Sequence, residues 1–264
     1  MKILMIGDVV GELGRRTLRD YLAQCVQIYT PDMVIVNGEN AANNGRGMNR
    51  SIAQEFFSLG VHCITLGNHA WGQPEIFDFI DREQRIVRPA NYPSDSPGNG
   101  YTILSTPAGK VAVVNLMGRA LMSTLDCPFV KIDAVLQKIP TSAFVFVDMH
   151  AETTSEKQAM GWYLDGRASA VIGTHTHVQT GDARILSKGT GFLTDVGMVG
   201  PYDGILGMKR EAVIRRYVTQ LPVRFEVATG RSQLNAVYLE LDRQTKMTKK
   251  IKTIRIDDEH PLMG

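Results

Sequence analysis

Cysteine is scarce in this chain of 264 residues: Cys25, Cys63 and Cys127 are all there is. An odd number without close pairing excludes a disulfide framework or a thiolate zinc knuckle, and fits reduced thiols packed inside a cytoplasmic protein. No stretch approaches the roughly 20 consecutive apolar residues of a membrane span, and the run Met1 to Gly7 meets Asp8 far short of a signal-peptide core. Charge of either sign is nearly balanced, at a net +2. The densest basic run, Lys246 to Lys252, reads as a solvated strand or turn, so no long nucleic acid is expected as a partner. Also missing are the glycine spacings of a nucleotide loop. Gly7, Gly11 and Gly14 match neither the Gly-x-Gly-x-x-Gly pattern nor a P-loop with its Lys.

What is present is an ordinary globular composition, 44% hydrophobic and 21% charged, on a chain long enough for one large domain, taken here as 1–264. The first third alternates apolar strands (3–6, 33–36, 63–66) with amphipathic helices (15–28, 51–59, 73–80), a pattern that predicts a parallel sheet with covering helices. Segments 101–105 and 110–116 resemble a hairpin across Thr106-Pro-Ala-Gly109. Alternation then resumes with a helix near 131–138, a strand at 143–147, a helix after Ser155 with Gln158 at capping-box spacing, and a strand ending at Gly173. Hairpin strands at 183–187, 191–194, 223–227, 234–241 and 248–256 follow, with a helix near 209–217 between them. Two mixed sheets packed face to face, with helices outside, bury all of these.

The polar residues after the strands carry the chemistry. Asp8, Gly38-Glu39-Asn40, Gly67-Asn68-His69, His150 and Gly173-Thr-His175-Thr-His177 each follow a predicted strand. Open α/β sheets keep their ligands at such strand ends. Two imidazoles two residues apart, as in His175 and His177, can reach into one crevice. Four of the six histidines fall in these motifs, while His62 and His260 do not. Each has a plainer use when taken alone: Asp8 as a helix cap, Asn68 as a turn residue, His150 as a satisfied strand-end histidine.

Taken in order, these motifs resemble the calcineurin-like metallophosphoesterases. Gly38-Glu39-Asn40-Ala, Leu116-Met-Gly-Arg119, His150-Ala-Glu-Thr-Thr-Ser-Glu-Lys157 and Gly197-Met-Val-Gly-Pro-Tyr-Asp203 are more narrowly similar to the YmdB-like branch. The resemblance covers nearly the whole chain. It implies an α/β fold, a four-layer αββα sandwich of two mixed sheets flanked by helices, with a two-metal centre and a phosphodiesterase activity on 2′,3′-cyclic nucleotides. The chain departs from the general pattern at Val10, where an imidazole is usual, at Glu39, which replaces a bridging Asp, and at Ala70, where many relatives carry a carboxylate beside the motif histidine.

Distributed over this pattern, Asp8, Glu39, Asn40 and His177 form one ligand set and Glu39, Asn68, His150 and His175 the other, with Glu39 shared and the Asn40 oxygen standing in for the imidazole absent at position 10. Oxygen and imidazole donors without thiolate suit two divalent transition ions, iron or manganese first and zinc as a further option. Hydroxide bridging the ions is the expected nucleophile and His69 the general acid. Arg119 and Glu152 are candidate supports of the ligands, Arg15 and Arg16 candidate phosphate contacts, and Asn43 to Gly47 a candidate pocket loop. The Gly-rich segment 194–207 is a candidate pocket wall or subunit contact, in keeping with a homo-oligomer. The rival reading is a regulatory or scaffolding protein that keeps the fold and turns over slowly; a nuclease acting on RNA is a weaker third.

Overall fold

The computed structural model describes residues 1–262. Its chain runs through β1 (Lys2–Ile6), β2 (Asp8–Val9), α1 (Gly11–Tyr29), β3 (Met33–Asn37), α2 (Arg50–Ser58), β4 (Cys63–Thr65) and β5 (Ile86–Val87). Then come β6 (Tyr101–Thr106), β7 (Gly109–Met117), α3 (Pro128–Leu136), β8 (Phe144–His150), α4 (Thr154–Tyr163) and β9 (Ala170–Thr174). The last part holds β10 (Arg184–Ile185), β11 (Gly191–Leu193), β12 (Met198–Pro201), α5 (Arg210–Thr219), β13 (Ser232–Leu241) and β14 (Thr248–Ile256).

Two sheets result. The eight-stranded one runs β2-β12-β13-β1-β3-β4-β5 with β14 on β13, and the six-stranded one runs β10-β11-β9-β8-β7-β6. Strands β1, β3, β4 and β5 are mutually parallel, as are β7, β8, β9 and β11. Antiparallel neighbours flank each parallel block.

The period-two alternation of a strand divides each run between two cores. In β1, Ile3 and Met5 face the apolar layer between the sheets, whereas Leu4 and Ile6 join the layer beneath the helices that cover the first sheet. In β8, Phe144 and Phe146 face inward and Val145, Val147 and Met149 face the helices of the other side. Both faces of both sheets are therefore covered, which is why these strands read as continuous apolar runs rather than alternating ones. The helix, sheet, sheet, helix layering agrees with the expected sandwich. No helix among the described residues is long and apolar enough to cross a membrane.

Local chemistry sets the helix ends, and here several expectations change. Helix α1 begins at Gly11, four residues before its expected start, and ends at Thr30, which turns left-handed at φ 44°. The cap of α4 is Thr153, whose hydroxyl accepts from Glu156 N, so the capping pair lies two residues upstream of Ser155 and Gln158. The expected helix at 73–80 is a short 3-10 turn, Pro74–Asp78. The expected strand at 223–227 is absent: only Val227 makes a bridge, to Met208, and Pro222 withholds a ladder donor just before it.

Candidate metal centre

Parallel order brings the polar strand ends to one edge of the sandwich. Asp8 opens β2 two residues past β1, Glu39 lies two residues past β3, Asn68 three past β4, His150 ends β8 and His175 follows β9. Glu39 Oε1, Asn68 Oδ1 and His175 Nδ1 all surround His150 Nε2, at 3.2, 2.9 and 3.1 Å. His177 Nε2 meets Asn40 Oδ1 at 3.3 Å and Asp8 Oδ1 at 3.9 Å. Asp8, Asn40 and His177 thus lie together, Glu39, Asn68, His150 and His175 lie together, and the His175 N–H joins the two by donating to Asp8 Oδ2 at 3.3 Å. Donor atoms of Glu39, His150 and His175 lie within 4.8 Å of one another.

Each imidazole of this set turns one nitrogen toward the cluster and ties the other to the protein. His177 Nδ1 is 3.0 Å from the Leu206 carbonyl. His150 Nδ1 is 2.8 Å from Thr174 Oγ1, which donates to Asp148 Oδ1 at 2.7 Å. His175 Nε2 is 3.1 Å from Glu152. Fixing the far nitrogen selects tautomer and ring orientation, the arrangement usual around metal-ligating histidines. His175 and His177 hold φ of 97° and 64°, a costly conformation for non-glycine residues that the surroundings must enforce. The enforcement falls on Thr176 between them. Its N–H and hydroxyl both donate to Asp195 Oδ2, at 3.0 and 2.7 Å, and Asp195 is paired at 2.7 Å with Lys157, both side chains being fully buried.

Two further observations fit the cluster to cations. Asp8 Oδ1 and Glu39 Oε1 are buried carboxylate oxygens that make no well-formed hydrogen bond and are approached only by imidazole nitrogens, His177 Nε2 at 3.9 Å for the first and His150 Nε2 at 3.2 Å and His69 Nδ1 at 3.4 Å for the second. Such groups are costly unless something positive meets them. Gly67 sits so close to Glu39 and His150 that any Cβ there would overlap their donor atoms. Ionisation follows the same logic. Burial, reinforced by the Asp195, Glu39 and Asp148 carboxylates, pushes Asp8 well above the ordinary carboxylate range. Against burial, the neighbouring His150 and His69 imidazoles hold Glu39 well below it. His150, also against burial, is raised to about 9 by Glu39, Asp8 and Asp148. Burial and the His150 charge depress His175 to about 3, and burial lowers His177. Carboxylates crowd together here and take charge compensation from a protonated histidine, the role that divalent ions would fill.

His69 lies beside the cluster rather than within it. Its backbone N–H donates to Glu39 Oε2 at 3.0 Å. Ring nitrogen Nδ1 is 3.0 Å from Asn40 Nδ2, whose orientation is fixed by donation to the Gly45 carbonyl, and 3.4 Å from Glu39 Oε1. A neutral ring accepts from Asn40 at Nδ1 and an imidazolium directs Nδ1–H at Glu39, so Nε2 carries a proton in both forms. These contacts replace the carboxylate missing at Ala70.

Other candidates divide. Asn44, Gly45 and Arg46 line a 430 Å³ cavity over the cluster, as does Glu152. Arg15 instead pins the loop from behind, donating to the Ala41 carbonyl at 2.6 Å and to Asn43. Arg16 lines a separate depression with Glu12 and Thr229. Arg119 offers only its backbone N–H, to Glu156. The Gly-rich segment contributes the Leu206 carbonyl, presented at φ 50°. Sequence reasoning missed Thr174, Asp148, Lys157 and Asp195. For Lys157 the signal was available, since a lysine at the buried position of a helix demands a counter-charge.

Two packed mixed sheets with this polar edge define the fold of the calcineurin-like metallophosphoesterases. A family model described as YmdB-like protein matches residues 4–254, and the chain belongs to that family. A 2′,3′-cyclic-nucleotide 2′-phosphodiesterase of Bacillus subtilis (strain 168) is 51% identical over 261 residues, 98% of each chain. A hypothetical protein from Thermus thermophilus superposes with TM-score 0.92 at 41% identity, over 97% of this chain and 99% of its own. A phosphatase from Mycoplasma pneumoniae gives TM-score 0.92 at 35% identity, over 97% and 93%. The sulfate thiohydrolase SoxB of Thermus thermophilus, at 12% identity and TM-score 0.52 over 96% of this chain and 44% of that one, shares the fold alone.

Proposed function

We propose that this chain is a metal-dependent phosphodiesterase that opens 2′,3′-cyclic nucleotides, the substrate class named for its Bacillus subtilis relative. The observation that carries the reading is the pair of buried carboxylate oxygens on Asp8 and Glu39, neither in a well-formed hydrogen bond, facing three orientation-locked imidazoles. Asp8, Glu39, Asn40 and His177 would hold one divalent ion and Glu39, Asn68, His150 and His175 the other, with Glu39 shared. Iron or manganese suits these oxygen and imidazole donors best, with zinc next. When bound, the ions would supply Lewis acidity toward the phosphoryl oxygens and lower the pKa of water toward neutrality.

The chain's own groups do the rest. Asp8 and Glu39 bring two negative charges and five neutral donors complete the set, so a loaded site keeps net positive charge and draws a phosphodiester anion. As water adds to phosphorus, the bond to the ribose oxygen breaks and that oxygen must gain a proton. His69, as the imidazolium, donates it from Nε2 and is left as the neutral Nδ1–H tautomer, distinct from the one that accepts from Asn40, with that proton facing Glu39 Oε1 at 3.4 Å. The far-nitrogen contacts from Leu206, Thr174 and Glu152 keep the donor atoms in place through the cycle.

The test combines metal analysis of purified protein with a panel of 2′,3′-cyclic, 3′,5′-cyclic and p-nitrophenyl phosphodiesters, run on wild type, Glu39→Gln and His69→Ala. Preference for the 2′,3′-cyclic substrates, lost in Glu39→Gln, is expected. Turnover unchanged by Glu39→Gln would overturn the reading.

A further inference from the structure

The cavity over the cluster has a second wall of quite different chemistry. Opposite the polar strand ends it is lined by Leu206, Met208, Val213, Tyr217 and Phe225, contributed by α5 and the segments on either side of it. Tyr217 is 76% exposed and Phe225 38% exposed. Neither ring pairs with another aromatic ring among the described residues, in contrast to Trp71, which packs on both Phe77 and Tyr92. Two partly exposed rings without an aromatic partner therefore border the same cavity as Glu39, His69, His175 and His177.

Two polar groups on this side are held by the chain itself. Arg216 Nη1 donates to the Gln220 carbonyl at 2.7 Å, closing the end of its own helix. Asn44 Oδ1 accepts from Arg46 N and from Gln73, at 3.1 and 3.2 Å. What the wall presents to a ligand is thus mainly apolar area, interrupted by the Arg216 guanidinium and the Tyr217 hydroxyl. A 2′,3′-cyclic nucleotide has complementary halves: a charged ring phosphate for the polar wall and a planar base at the other end.

We infer that Tyr217 and Phe225 form a stacking platform for the nucleobase, and that they set the affinity for nucleosides over simpler cyclic phosphates while leaving base identity unselected. The inference rests on the phosphodiesterase reading above and specifies which part of the substrate the apolar wall takes. Every base offers a π face, so stacking tolerates any of the four.

Glycerol 1,2-cyclic phosphate is the discriminating probe, because it carries a five-membered cyclic diester without a base. Steady-state kinetics of the metal-loaded enzyme are measured with it and with 2′,3′-cyclic AMP and UMP, for wild type, Tyr217→Ala, Phe225→Ala and Tyr217→Phe. In the alanine variants KM for both nucleotides is expected to rise between about 5-fold and 150-fold per ring, the span of measured base-aromatic stacking. kcat is expected to hold, KM for glycerol 1,2-cyclic phosphate to stay at the wild-type value, and Tyr217→Phe to behave as wild type. Nucleotide KM values indifferent to both substitutions, or a rise shared equally by the glycerol compound, would overturn the platform. A wild type that turns over neither kind of cyclic phosphate would instead remove the phosphodiesterase reading itself, a result distinct from active enzyme that ignores the rings.

Discussion

One cavity has two walls, and they are built on opposite terms. The polar wall consists of residues such as Glu39, Asn40 and His177, largely buried and held by partners behind them, as His177 is by the Leu206 carbonyl and Asn40 by the Gly45 carbonyl. The apolar wall consists of residues such as Leu206 and Tyr217 that stay exposed, on or beside a helix whose only buried residue is Val213. Positions that hold charge must be set to within a fraction of an ångström, so they sit on strand ends of a packed sandwich and are over-determined by hydrogen bonds. Positions that hold a flat apolar group need area rather than direction. They tolerate a segment anchored at its base, by the Met208 to Val227 bridge with the Lys209 N–H donating to the Glu226 carbonyl and the Ala228 N–H to the Gly207 carbonyl, and by the close approach of Gly11 and Gly45 to the Val227 side chain.

That contrast can be broken by substitution. The largest effect is expected at Glu39, the side chain shared by both groups: Glu39→Gln should lower kcat/KM by well over the roughly 100-fold that loss of an outer-shell partner produces, together with metal content. Metal content by elemental analysis alongside initial rates checks both halves. Next is His69→Ala, expected to lower kcat by about 10² to 10⁴ with metal retained. Nearly normal turnover in a fully loaded variant would remove its acid role.

A smaller effect is expected one step behind the ligands. Lys157→Met leaves Asp195 buried without its counter-charge, which should cost about 3–5 kcal/mol in denaturant unfolding. It should also weaken metal binding by about 10- to 100-fold, because Asp195 holds Thr176 between the two strained histidines. Unchanged affinity in the folded variant would limit the ion pair to stability. The smallest effect is expected on the apolar wall, where Tyr217→Ala should shift stability by no more than about 0.5 kcal/mol. A larger loss in thermal unfolding would mean that the ring is a structural contact.

The two walls also differ in how they could be read from the chain. Asp8, Glu39, Asn68, His150, His175 and His177 were legible because each follows an apolar run, and parallel topology gathers such ends at one edge. Sandwich layering followed from the same runs, apolar throughout because both faces are covered. Illegible parts depend on contacts across long separations: Leu206 holds His177 from 29 residues away, and Asp195 holds Lys157 from 38. Short strands β2, β5 and β12 carry two to four residues each, too few for any period to show. The strand expected at 223–227 failed for the opposite reason. Val223, Phe225 and Val227 alternate as strand residues do, yet only Val227 finds a bridging neighbour, and Phe225 lines the cavity instead.

Titration of Mn²⁺ into metal-stripped protein, followed by calorimetry, goes most directly to the central point. Wild type is expected to bind two ions per chain, and Glu39→Gln to lose both tight sites at once because one carboxylate serves the pair. A single site or none in wild type, or two sites that persist when Glu39 is replaced, would contradict a shared two-ion centre.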